Sequence, residues 1–162
     1  MSIINNSSDK KVNYLVCVNG EKYSEVAAHF AAKLAQNNNG TITILHVIEP
    51  ADYQSFGGVA ETMRSEQIHA TAKLLEELSN KVNKWSALTP ILMAEEGVIE
   101  EKIISVIEKD KSINMLIVGA ASASSAKSKI LPPLVASLGS KLTIPMMIVP
   151  GNMTNKKIDE LA

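Results

Sequence analysis

The sequence predicts a single α/β domain built on an open, five-stranded parallel sheet with helices on both faces. Three observations carry that prediction. Five short apolar runs alternate with longer segments whose apolar residues recur at helical spacing, the pattern of consecutive βα units. The runs are apolar almost throughout, as strands covered on both faces are, and do not alternate with polar residues. At 162 residues the chain suffices for one sizeable core and falls short of two comfortable ones.

The elements follow in order. Residues 1–11 are polar and are expected to form a mobile arm before a domain over 12–151 and a tail over 152–162. Asn13 to Val18 is the first strand. Asn19-Gly20 turns the chain, Ser24 is placed to cap a helix, and Tyr23, Ala27, Phe30 and Leu34 recur at helical spacing, which predicts a helix over Ser24 to Gln36. The run Asn37 to Gly40 ends it, because Asn and Gly tolerate the left-handed conformation of a helix terminus. Thr41 to Val47 is rich in β-branched residues and forms the second strand, stopped by Pro50.

Asp52 to Gly58 is a loop expected at the ligand end of the sheet. Val59 to Trp85 contains no Pro or Gly and carries the stripe Ile68, Ala72, Leu75, Leu78 and Val82, a long amphipathic helix. Thr89 to Ala94 starts beside Pro90 and is placed at a sheet edge. Val98 to Lys109 is helical, with Glu100 and Glu101 complementing its positive end. Met115 to Val118 is a buried strand closed by Gly119. Pro132 and Pro133 introduce a helical pattern of Leu134, Val135, Leu138 and Leu142, and Met146 to Val149 is the last strand. The sheet is expected to be Rossmann-like, with strand order 3-2-1-4-5 and right-handed crossovers.

Composition excludes several function classes. Apolar residues make up 46% and charged residues 20%, and the net charge of −1 offers no footprint for nucleic acid. No apolar run approaches the length of a membrane span. The single cysteine, Cys17, has no partner for an internal disulfide, and no charged-then-apolar leader precedes the first strand, so the cytoplasm is the expected compartment.

Two phosphate-handling motifs would matter in this architecture, and both are missing. A Walker loop ends in Gly-Lys-Ser/Thr, and the dinucleotide fingerprint needs three spaced glycines after the first strand, where Asn19-Gly20-Glu21 supplies one. The serine-glycine-glycine pyrophosphate loop of adenylating enzymes is absent too. Cys17, inside an apolar strand, is read as a small hydrophobe before a nucleophile. His46 is read as a structural histidine before a crevice residue, and Glu66 with His69 as a solvated helix face before half a metal set. Glu95, Glu96, Glu100 and Glu101 are read as a solvated helix start, with no partner for acid/base chemistry.

Taken together, Val18-Asn19-Gly20-Glu21, Ile44-Leu45-His46-Val47, Gly119 with its loop, and Pro145-Met146-Met147-Ile148-Val149 resemble the universal stress protein family over Tyr14 to Val149. Val47 to Asp52 and Val149 to Asn152 resemble an alphaproteobacterial-type branch of it. ATP-binding members carry Gly, two residues, Gly, nine residues, then Gly-Ser or Gly-Thr. From Gly119, that spacing lands on Gly119, Ser122, Pro132 and Pro133, so the motif is degraded. A helix N-terminus holds phosphate through free backbone N–H groups, and proline has none.

The resemblance implies a non-enzymatic stress-response module with weak or no ATP binding and no firm cofactor. It also implies a homodimer through Pro145 to Val149, an apolar edge with no charged gatekeeper. Neither nucleic acid nor membrane is expected as a partner, and an unidentified protein partner stays open. The alternative is a switch or slow ATPase that binds ATP or AMP. Its pocket would use Asn19, Gly20, the Val47 backbone, Gly119 and Ser122, with Lys127 and Lys129 replacing lost amides. The simpler reading of that Ser/Lys stretch is a solvated loop. A third option is another small anion held between the loop over 52–58 and the Ser/Lys loop.

Overall fold

The computed structural model describes residues 11–50, 59–122 and 131–162. Its elements run β1 (Asn13–Val18), α1 (Lys22–Asn37), β2 (Thr41–Ile48), α2 (Ala60–Ser86), β3 (Ile91–Glu96), α3 (Ile99–Lys109), β4 (Ile113–Ala120), α4 (Leu131–Gly139), β5 (Met146–Pro150) and α5 (Asn155–Leu161). The strands form one sheet in the order β3-β2-β1-β4-β5, every neighbouring pair parallel. This is the expected fold and order, with β3 at one edge and β5 at the other. The polar arm and the loop over 52–58 lie outside the described residues, apart from Lys11.

Because side chains alternate across a strand, the sheet divides the core in two. Val16, Val18, Ile42 and Ile44 pack with Ala27, Ala31 and Phe30 of α1 and with Leu75, Leu78 and Val82 of α2. Leu15, Leu45, Val47, Leu116 and Val118 pack on the other face with Ile103, Val106 and Leu138 of α3 and α4. Asn13 is only 2% exposed, yet it is satisfied: Thr43 Oγ1 donates to its Oδ1 at 3.0 Å, and its Nδ2 donates to Ser112 Oγ at 3.0 Å. That chain ties β1, β2 and the start of β4 at the end of the sheet away from the crevice.

Four expectations need correction. Ser24 does not cap α1. The helix starts two residues earlier behind Glu21, and the Ser24 hydroxyl donates back to the Glu21 carbonyl at 2.9 Å, a bond made from inside the first turn. Ile68, 48% exposed, and Ala72 lie off the buried stripe of α2, which runs through Thr71, Leu75, Leu78, Val82 and Ser86 because the helix presents a narrower face to the sheet. β3 begins at Ile91, after Pro90 and not around it. α4 ends at Gly139, which leaves Leu142 beyond the helix. The tail, undecided from sequence, forms α5 on α1: Ile158 is 1% exposed, and Asn37 Nδ2 donates to the Ala162 carbonyl at 3.1 Å. Beside that seat His29 stacks on Trp85, with ring centroids 4.2 Å apart and planes 12° from parallel.

Among the described glycines the closest approach joins β4 to the start of α1. A Cβ added at Gly119 would lie 2.3 Å from the Tyr23 carbonyl oxygen, and one at Gly151 would lie 2.5 Å from Tyr23 Cβ. Main chain blocks the first position, so no rotamer change relieves it. Gly119→Ala is expected to cost about 1–3 kcal/mol of stability through overpacking. Gly139→Ala, where an added methyl meets nothing within 4 Å, is expected to change stability by less than about 0.5 kcal/mol. Urea unfolding of the two variants side by side checks the contrast.

Candidate functional site

In an open α/β sheet a ligand settles outside the carboxyl ends of the strands where the strand order reverses, here between β1 and β4. Asn19-Gly20-Glu21 closes β1 at that point. Asn19 Oδ1 accepts from the Glu21 N–H at 3.0 Å, and its Nδ2 donates to the Tyr23 hydroxyl at 2.6 Å. The Asn19 N–H donates to Ser24 Oγ at 3.3 Å. Gly20 sits at φ +85°, where only glycine is unstrained. The amide at position 19 therefore fastens the loop to α1.

The crevice has two parts on opposite faces of the sheet. On the α3/α4 face a cavity of about 70 Å³ is walled by Cys17, Ile99, Val118, Gly119, Leu131 and Leu134. That is well below the roughly 300–1,000 Å³ of ordinary ligand pockets, and its walls are mainly apolar, with Asn19, Tyr23 and Ser24 at the β1/α1 side. Pro132 and Pro133 fall in the first turn of α4 beside it, so two of the amide donors a helix start normally presents are absent. On the α1/α2 face a pocket of about 370 Å³ is lined by Asn19, Gly20, His46, Glu49, Thr71 and Leu74, together with Val47.

The structure thus gathers Asn19, Gly20 and Val47 in one pocket and Gly119, again with Asn19, in the other. Ser122 belongs to neither. It lines a separate cleft with Lys22 and Asn152. Lys127 and Lys129 lie outside the described residues. Gly119 is explained by its contact with Tyr23 before any ligand is invoked.

His46 is both structural and a pocket residue. Its Nδ1–H donates to the Val18 carbonyl at 2.8 Å, since a carbonyl only accepts, and the ring borders the pocket. The α2 wall was not among the sequence candidates. Thr71 sits four residues before Leu75 on the buried stripe, and a small hydroxyl at that position was the available signal.

Three of the four acidic side chains have partners: Arg64 meets Glu96 at 2.9 Å and Lys102 meets Glu95 at 3.9 Å. Glu100 binds Lys141 and Ser137, which hold its carboxyl below the usual range. Glu66 and His69 are exposed on α2. Among the described residues no three His, Cys, Asp or Glu side chains form a metal-binding group, and no helix is long and apolar enough to cross a membrane.

Comparison with known proteins agrees with this geometry. The model of the Universal stress protein family matches residues 13–150. The universal stress protein UspA from Lactobacillus plantarum superposes with a TM-score of 0.73 at 16% identity, over 85% of this chain and 97% of that one. A universal stress protein solved in complex with cAMP gives 0.64 at 15% identity, over 88% and 98%. An Arabidopsis thaliana universal stress protein family protein with AMP bound gives 0.62 at 17%, over 86% and 91%. At such identities the superpositions speak for the fold alone. No curated protein sequence matches the chain.

Cys17 is half-buried among apolar walls, and burial followed by the charge of Glu49 pushes its thiol up to about 12. Thiolate is the reactive form, so alkylation by iodoacetamide at pH 8 is expected to run at least about a hundredfold slower in the folded protein than in urea. Comparable rates in the two states would show the thiol to be accessible and activated.

Proposed function

Because this chain belongs to the universal stress protein family, we propose that it acts in the cytoplasm as a non-enzymatic regulatory module, a homodimer with weak or no affinity for ATP. The observation that carries the proposal is the pairing of Pro132 and Pro133 in the first turn of α4 with a mainly apolar cavity of only about 70 Å³ at the strand-order reversal. Phosphate is held at such a place by free N–H groups. Here two have been replaced by ring carbons, and the remaining space suits no triphosphate.

The dimer is supported by β5. Among the described residues it pairs on one side only, with β4, and Ile148 on it is 45% exposed. Two observations favour the second reading, an adenine-nucleotide switch. Asn19, Gly20 and Val47 share a pocket of ligand size, and two structural neighbours carry AMP or cAMP. On that reading Lys127 and Lys129 supply the phosphate contacts.

The purified protein, once denatured, is expected to release no nucleotide by absorbance and mass spectrometry, and calorimetry is expected to find no submicromolar ATP site. Pro132→Gly with Pro133→Ser restores two donors and is expected to raise ATP affinity about tenfold or more. Released nucleotide, or tight ATP binding by the unaltered chain, sinks the first reading in favour of the second. Sedimentation at micromolar concentration is expected to show a dimer that Ile148→Lys dissociates. A monomeric unaltered chain removes the oligomeric part.

A further inference from the structure

We infer that the hollow on the outer side of α1, between α2 and the start of α5, binds a small apolar monocarboxylate, such as an arylcarboxylate, through His29 and Lys22. The hollow shares no lining residue with either part of the crevice. The family match ends at residue 150, so the wall made by residues 153–155 lies beyond it.

One side of the hollow is a single stripe of α1, on which Lys22, Glu25, Val26 and His29 recur at helical spacing. Trp85 closes it from α2, and Met153 from the connection before α5. At about 330 Å³ it is in the range that holds small organic ligands.

His29 carries the inference. The residue is only 7% exposed and its ring lies flat on Trp85, yet among the described residues neither of its nitrogens has a hydrogen-bond partner. No side-chain nitrogen or oxygen among the described residues is both fully enclosed and unpaired, so the imidazole nitrogens keep a small opening toward the hollow that His29 lines. An imidazole nearly withdrawn from water is costly to leave unpaired, and a ligand in the hollow supplies the missing partner.

The groups around it favour an anion. Thr154 Oγ1 accepts the Lys157 N–H at 3.2 Å, which leaves its own proton to give. The Asn155 amide can turn its N–H groups to an acceptor. Glu25 is the one carboxylate of the lining, and Lys22 at 3.2 Å and Lys81 at 2.9 Å both hold it, so two positive charges face one negative. One added carboxylate balances that set, and Val26, Trp85 and Met153 receive its apolar body.

Burial holds His29 below the usual histidine range, with Asp159 and Glu25 opposing and Lys33 and Lys22 assisting. Lys81 of α2 stands behind Glu25. A carboxylate bound beside the ring favours the imidazolium and raises its pKa, so affinity grows as pH falls while the ligand itself stays ionised.

Benzoate titrated into the full-length protein, followed by proton NMR of the three histidines, tests this. Saturable binding with a Kd of about 1 mM or below is expected to move one histidine signal, which is missing from His29→Phe. Binding is expected to be at least about threefold tighter at about pH 5.5 than at about pH 8. His29→Phe keeps a ring on Trp85 without the nitrogens. It is expected to weaken benzoate about tenfold or more and to abolish the pH dependence. Lys22→Gln, on a side chain 80% exposed, is expected to weaken it about three- to tenfold. Benzyl alcohol, which has the ring without the charge, is expected to bind at least about tenfold more weakly.

No saturation by benzoate up to about 10 mM overturns the inference. Benzyl alcohol binding as well as benzoate, or benzoate binding that ignores both substitutions, overturns it too. Thermal unfolding of each variant without ligand separates lost binding from lost fold.

Discussion

The contact between the Tyr23 main chain and Gly119 sets the geometry of everything around it. With no side chain on β4 at that point, the first turn of α1 drops against the strand, and Gly151 admits the Tyr23 side chain from beyond β5. Ser24 and Asn19 then close the turn with hydrogen bonds that point inward. One consequence is that the β1/β4 crevice is narrowed by the protein's own helix. A glycine that motif comparison assigns to phosphate has a sufficient cause in packing.

The two faces of the sheet divide the site as they divide the core. Leu45 and Val47 belong to the α3/α4 side, while Ile44 packs toward α1 and α2, and His46, two residues on, borders the α2 wall. β2 therefore lines the wider pocket through His46, Val47 and Ile48, while the small cavity is walled mainly from β1, β4, α3 and α4. Fold membership does not choose between them. Side-chain chemistry does. Prolines, leucines and a thiol held neutral on one face leave little for an anion. On the other, His46, Glu49, Gln67 and Thr71 give the wider pocket a mixed polar lining.

Strand identity was legible because buried parallel strands are apolar end to end, and β1 came out with the boundaries its composition implied. The β3 edge was legible from Pro90. Helix limits were less so, because Ser24 has the chemistry of a cap and spends it inside the helix. A 27-residue helix that touches the sheet along part of its girth also blurs its own stripe, and that is why Ile68 misled and Thr71 was passed over. Of the site, Asn19, Gly20, Val47 and Gly119 were found through their order along the chain. The contribution of Thr71 depends on α2 crossing the end of β2, a relation between distant segments that no local pattern encodes.

The stacked pair formed by His29 and the single Trp85 has a use that follows from its position. It borders the hollow that Met153, Thr154 and Asn155 share with α1, so the indole looks onto the seat of the C-terminal helix. The chain contains no second indole to mask it. Its emission is a built-in optical gauge of whether that helix is docked, readable in the unlabelled protein.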